Sequence, residues 1–344
     1  MKIKDEVINW LLEDDNPPVR YLTLTKLLKR SETSSEVQKA KASLMEYKVT
    51  EGILKHSKEF LKDNDRAYWK YTGKYWQIIF LGQFLADGKD PRIAEGVQDI
   101  LNERKWVMAI GGQCLTANLL TAFRRLGYGD HPAVIEETES LAKRIVAEGG
   151  LECTVMDYSL LPRCYMALPK QLMLFGEIPS QERSENVNAA IEIVVRTMLE
   201  NEIYIYVPSR NNEWQKVIES APKGAELPKG ETVKKWIFKE KNRFLKSTGI
   251  GDRVAKQGWL RFGFPLHYNS DILEAMYALA LLETPMLTNL KKPVEIIRNK
   301  MTPEGKWIME NSLNGKMWMD VEEKGKPSKW ITYFALYVLN HFSF

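Results

Sequence analysis

Cys114, Cys153 and Cys164 are the three thiols of this 344-residue chain, and all of them fall at or near the starts of apolar stretches. Deprotonated thiols with one further ligand suit a tetrahedral Zn²⁺, the fourth donor being Asp157, His267 or water. An open fourth position would make the metal catalytic, activating a water or a thiol substrate. No Cys-x-x-Cys spacing accompanies these residues, and the competing reading is that they are small core hydrophobes. His267 and Asp271 form a second constellation. Four positions apart, they share a helix face if the helix begins by residue 267, and such a pair can act as general base and orienter. Asn269-Ser270-Asp271 also reads as an ordinary helix start, in which Asp271 accepts from backbone donors. Asp157, His267 and Asp271 are thus the candidate catalytic groups. Of the other histidines, His131 precedes Pro132 in a turn, His56 sits in a Lys-rich solvated stretch, and His341 lies near the C-terminal end.

The elements that must hold these groups are helices. Val7, Ile8, Leu11 and Leu12 recur at steps of three and four, as do Leu24, Leu27 and Leu28 after Asn16-Pro17-Pro18, where Asn16 reads as an N-cap. Further helical spacing covers 34–46, 74–86, 91–103, 114–126, 132–147, 162–175, 181–200, 270–283, 291–301 and 328–342. Ile203-Tyr204-Ile205-Tyr206-Val207 alternates and is β-rich, which predicts one short strand or hairpin. A loose repeat runs through the helices. Leu85-Ala86-Asp87-Gly88-Lys89-Asp90-Pro91 resembles Leu126-Gly127-Tyr128-Gly129-Asp130-His131-Pro132, with the two prolines 41 positions apart. Leu174-Phe175-Gly176-Glu177-Ile178-Pro179 is a weaker third copy. Such periods mean stacked helical hairpins, either an open solenoid or a closed ring.

Helices such as 115–126 and 272–282 are apolar on most sides, whereas 91–103 and 132–147 carry a broad charged face. An all-round apolar helix must be buried all round, which a closed double ring provides for its inner members. The expectation is therefore one all-α domain over 1–344, an α/α toroid, with an irregular insertion at about 200–256. Apolar residues make up 44% of the chain, enough for a sizeable core, and the formal net charge of +4 is too small to predict nucleic-acid binding. Three cysteines argue for a reducing compartment and against a disulfide scaffold. No apolar run approaches a membrane span, and charges at Lys2, Lys4, Asp5 and Glu6 stand where a signal peptide would begin its apolar core. A cytoplasmic location is expected.

Several segments carry a resemblance to a known superfamily. The alternating apolar and amphipathic helices, with turns such as Gly305-Lys306-Trp307, resemble the α/α-toroid superfamily of squalene and terpene cyclases and protein prenyltransferase β subunits. Trp10-Leu11-Leu12-Glu13, Asn16–Leu24, Cys114–Leu120, Trp259–Leu266 and Gly325–Thr332 are similar to an uncharacterised bacterial and archaeal branch of it. The resemblance implies a ligand held in a central cavity. That branch has a Cys-His pair where this chain has Cys164-Tyr165, so the chain departs from it at that point. The Asp-x-Asp-Asp acid of the protonation-driven cyclases is missing; Asp320-Val321-Glu322-Glu323 is the nearest string and reads as a solvated turn. The Asp-Asp-x-x-Asp diphosphate motif does not occur, so squalene-cyclase chemistry is not supported.

If the inner helices begin near 74, 114, 162, 270 and 328, their starts share one end of the ring and make a donor-rich rim. Tyr75, Trp76, Gln113, Tyr165, Trp259, Tyr268, Lys329 and Trp330 are the candidate cavity residues there. The segment 201–256 holds 12 lysines and arginines against 7 acidic residues. Basic residues interleaved with Trp236, Phe238 and Phe244 offer peripheral membrane contact through 234–244, an anion site or a lid. Two functions follow. One is a toroid enzyme or enzyme-like binder of a small apolar or amphipathic molecule, with the thiols offering zinc assistance at the rim. The other is a HEAT-like scaffold for a protein or nucleic acid, since Asn16-Pro17-Pro18-Val19-Arg20 resembles the start of such a repeat. A ring requires the first and last helical units to pack together; a solenoid keeps them apart.

Overall fold

The computed structural model describes residues 3–62, 66–103, 112–150, 166–206, 216–222, 226–233 and 254–342, and, between 233 and 254, residues 236, 237, 239, 240, 243 and 244. The chain is mostly helical. In order the helices are α1 (Asp5–Leu11), α2 (Pro17–Leu22), α3 (Ser35–Ala42), α4 (Lys48–Lys55), α5 (Ser57–Lys62), α6 (Lys74–Gln83), α7 (Pro91–Glu103) and α8 (Gly112–Phe123). They continue with α9 (Pro132–Glu148), α10 (Ala167–Gly176), α11 (Glu185–Glu200), α12 (Ile272–Leu281), α13 (Lys291–Asn299) and α14 (Lys329–His341). The boundaries follow from local chemistry. Asn16 accepts from the Val19 amide at 3.3 Å to cap α2, and Ser184, Asp271 and Ser328 cap α11, α12 and α14 in the same way. His131 caps α9, its Nδ1 accepting from the Ala133 amide at 3.2 Å.

Two kinds of helix are present. Every residue of α6 is buried, as are α12 from Ile272 to Ala280 and most of α8, α10 and α14. By contrast, α7, α9, α11 and α13 bury one face and leave the other in water. The buried helices pack in chain order, α6 on α8, α8 on α10, α10 on α12 and α12 on α14, while α9 packs on α11 outside them. They run parallel. Gly82, near the end of α6, lies against Ala122 near the end of α8, and Gly176 at the end of α10 lies against Leu281 at the end of α12. Near the starts of α10 and α12, Lys170 reaches across to Glu274.

The first helices pack on the last. Both α1 and α2 contact α14. Lys4 Nζ donates to the Pro303 carbonyl at 2.7 Å, and Asn16 Nδ2 donates to Glu322 Oε1 at 3.3 Å. Lys329 pairs with Glu13 at 2.7 Å and with Asp15, and its ammonium and that of Lys306 lie 5.5 and 4.0 Å from the Trp10 ring. Gly305 stands in the turn between Thr302 and Lys306 at φ +84°, a conformation that favours glycine, and a side chain there would also crowd Val7. Glu322 is not in a solvated turn. It is largely buried, accepts from the Ser328 hydroxyl and from the Lys329 amide at 3.0 Å, and so belongs to the same seam.

Among the described residues there is a single two-stranded antiparallel pair. β1 (Ile205–Tyr206) pairs with β2 (Val254–Ala255), Ile205 opposite Ala255. Among the described residues of the alternating segment the strand covers Ile205 and Tyr206, and its partner is the far end of the insertion. Trp236 and Phe244, offered by the sequence to a membrane or an anion, pack on Ile237 in a small apolar cluster separate from the main core. The helical spacing gave no helix over 48–62, where α4 and α5 lie. Gly52 and β-branched Val49 and Thr50 weaken the local signal, and burial of Val49, Ile53 and Leu54 overrides it. No helix of the described residues is long and apolar enough to cross a membrane.

Candidate functional site

A long connection, residues 256–271, packs on the buried helices, with Leu266 beside the end of α6 and Ser270 and Asp271 at the starts of α10 and α12. Gln83, near the end of α6, holds it by both backbone groups of Leu266: its Nε2 donates to the carbonyl at 2.8 Å and its Oε1 accepts from the amide at 2.9 Å. Phe264 stacks on Trp330 at 4.1 Å between ring centroids and touches Phe84 and Phe334. Gly263 lies against the backbone of Asn311, where a Cβ would come within 2.8 Å of the Asn311 carbonyl oxygen. Between this connection and the stretch holding Asn311 and Ser312 lies a cavity of about 180 Å³. Trp259, Phe264, Pro265 and Leu266 give it an apolar wall; Lys256, Arg261, His267, Asn269, Asp271, Asn311 and Ser312 give it a polar one.

His267 is buried, and its Nδ1 accepts from the Asn269 amide at 3.3 Å. A backbone N–H can only donate, so Nδ1 carries no proton and the neutral ring is protonated at Nε2. The Tyr71 hydroxyl, 3.2 Å from Nδ1, therefore donates to it as well. Burial pushes the imidazole down to about 3, helped by the ammonium groups of Lys170, Lys316 and Lys70. At neutral pH His267 is a hydrogen-bond donor and a poor base. Asp271 behaves oppositely. Its Oδ1 accepts from the Glu274 amide at 2.7 Å and its Oδ2 from the Gly263 amide at 2.9 Å, which fixes it as the α12 cap. Burial nevertheless pushes the carboxyl up to about 7. The helix begins at residue 272 and the carboxylate is committed to backbone, so the expected base-and-orienter pairing of His267 with Asp271 is not the arrangement found. Both line the same cavity, but the group that titrates near neutrality is the acid.

Trp259 is the other expected residue in the cavity wall. Tyr268 sits behind it: its hydroxyl donates to that of Tyr68 at 2.7 Å, its ring meets Trp76 edge-on at 4.9 Å, and burial raises its pKa. Trp76 donates from Nε1 to the Tyr68 carbonyl at 3.2 Å and, like Tyr75, is core. Trp330 backs the cavity through Phe264. Gln113 and Cys114 are buried at the start of α8, the Gln113 Oε1 lacking a partner, and Cys114 lies close enough to Tyr268 to act on it electrostatically. Lys329 is elsewhere, tied to Glu13 and Asp15 in the seam between the chain ends. Cys153, Asp157, Cys164 and Tyr165 lie outside the described residues. Among the described residues no group of three His, Cys, Asp or Glu side chains could hold a metal ion.

Sequence spacing missed the pair at the heart of the site. Lys170 and Glu274 form an ion pair in which both side chains are at most 1% exposed, and Glu274 Oε2 has no partner. The signal was there: one lysine in Ala-Leu-Pro-Lys-Gln-Leu-Met-Leu-Phe and one glutamate in Ile-Leu-Glu-Ala-Met, each the lone charge of an otherwise apolar helix, must find one another. A second, small cavity, about 10 Å³, lies beside Glu274 among Gln83, Asn118, Thr121, Arg125 and Leu266. Asn118 Nδ2 is without a partner there. Room for about one water and two unmet polar groups define a hydration site. Comparison with known proteins yields no matching family model, no matching curated protein and no matching solved structure.

Proposed function

We propose that the chain is an α/α toroid that holds a small amphipathic molecule in the cavity beside His267 and Asp271. The observation that carries this reading is the cavity itself: about 180 Å³, walled on one side by Trp259, Phe264 and Leu266 and on the other by donors and a titratable acid. Its size suits a molecule of modest dimensions, below the usual range for drug-sized ligands of about 300–1,000 Å³. The ring arrangement draws support from the parallel order of the buried helices and from the packing of α1 and α2 on α14. An open HEAT-like scaffold would keep those ends apart. His267 serves in this reading as a donor through Nε2, and Asp271 as the group able to exchange a proton near neutral pH.

Native mass spectrometry of the gently purified protein tests the proposal. The wild type is expected to retain a small molecule that is lost from Asn311→Trp and Ser312→Leu, which fill the cavity from its half-buried rim; circular dichroism checks that both variants fold. An empty wild type, or equal retention by all three proteins, would overturn it.

A further inference from the structure

The charges around the cavity do not balance, and the imbalance has a sign. Asp271 is the one carboxylate in its wall among the described residues, and both of its oxygens are taken by backbone amides. Glu274 is paired with Lys170. Glu310, on the strand-like stretch beside Asn311, accepts from the Phe262 amide at 2.9 Å and pairs with Lys300 at 2.6 Å. On the other side stand three exposed cations that enter no ion pair among the described residues. Arg261 lines the cavity, while Lys70 and Lys316 lie near enough to His267 to disfavour its charged form. Lys70 sits 4.6 Å over the Tyr268 ring, a contact that leaves its charge uncompensated. The neutral groups are of the same character. His267 offers an N–H from Nε2, and the side-chain amides of Asn269 and Asn311 add donors. A cationic ligand would meet repulsion from three sides, and a neutral one would leave those charges facing a partly dry wall.

Resting on the cavity reading above, we infer that the molecule it takes is an anion, held by a carboxylate or phosphate group that accepts from His267 Nε2 and pairs with Arg261. Arg261 has the planar fork that either oxyanion matches. Lys70 and Lys316 supply the surrounding field rather than direct bonds. The apolar wall of Trp259 and Phe264 then receives the remainder of the molecule.

Titration calorimetry on the full chain at low ionic strength, with inorganic phosphate in one arm and acetate in the other, tests this inference. One ion should bind per chain, with affinity falling as salt rises. Arg261→Gln should weaken it about tenfold, the value of one charge-assisted contact, whereas Lys292→Gln on the outer face of α13 should leave it unchanged. Tighter binding of phosphate assigns a phosphate ester, and tighter binding of acetate a carboxylate. Arg261→Gln with wild-type affinity, or phosphate bound equally well by Asn311→Trp, would overturn the inference. So would the failure of both ions to bind a chain that has been freed of its co-purified molecule by dialysis and can take that molecule up again, and that result would leave the cavity reading standing. An empty wild type in the mass spectrometer would remove both.

Discussion

Two polar clusters lie close together among the buried helices, and they are built differently. In one, Arg125 places Nε and a terminal nitrogen 2.8 and 2.6 Å from Glu177, with a quarter of the Glu177 side chain still exposed. The hydroxyls of Tyr277 and Tyr333 lie 3.3 Å apart beside this pair. Charge meets charge, hydroxyl meets hydroxyl, and water reaches the acid. In the other, Lys170 and Glu274 are sealed from solvent, one Glu274 oxygen is unmet, and a small cavity opens alongside, while Asp271, whose carboxylate accepts from the Glu274 amide, lines the larger one. A saturated cluster has every polar group met within the fold; an unsaturated one leaves a buried acceptor for a further partner.

The largest expected effect separates the two clusters by stability. Glu274→Ala leaves the Lys170 ammonium buried and unpaired and should cost about 3–5 kcal/mol in urea denaturation, most of it recovered in the apolar double variant Lys170→Met/Glu274→Leu. Glu177→Gln, at a partly exposed pair, should cost only about 1 kcal/mol. Equal losses at both pairs would break the comparison. Next come the two pH dependences, which have opposite signs. The folded state holds the Asp271 proton more tightly than the unfolded chain, so its contribution is fullest below about 4 and is lost as pH rises towards 7. Wild type should therefore lose stability over that range relative to Asp271→Asn. His267 resists protonation in the folded state, so its contribution is full above about 6.5 and is lost as pH falls towards 3. Against His267→Asn, whose side-chain oxygen can replace the Nδ1 acceptor, wild type should weaken on the acid side. Melting curves at pH 4, 5.5, 7 and 8 check both slopes, and parallel curves for variant and wild type would remove the assigned titration. The smallest effect belongs to Lys329. Its partners Glu13 and Asp15 are more than half exposed, so Lys329→Gln should cost about 1 kcal/mol or less and the cost should shrink in high salt.

Helical periodicity was legible wherever a helix is apolar on a fixed face or on all faces, and the caps at Asn16 and Asp271 could be read from residue type alone. The starts of α6 and α14 fall within a residue of their expected places because Gly73 and Ser328 stop the preceding chain. What escaped was long-range. Nothing local in Phe264-Pro265-Leu266 says that it folds back onto the buried helices, since its partners Gln83 and Trp330 are distant in sequence. Lys329 looked like a rim residue because it begins a buried helix, and only the packing of α1 and α2 on α14 turns it towards Glu13. His267 and Asp271 were found by type and spacing, but which of them titrates near neutrality depends on burial and on three lysines from other elements.

The most direct test is a crystal structure of the protein purified without stripping its ligands. Density for a small molecule is expected between Arg261, His267 and Trp259, with an oxyanion within hydrogen-bond distance of the His267 Nε2. A bound molecule seated anywhere else, or a cavity filled only by its own side chains, would contradict the account.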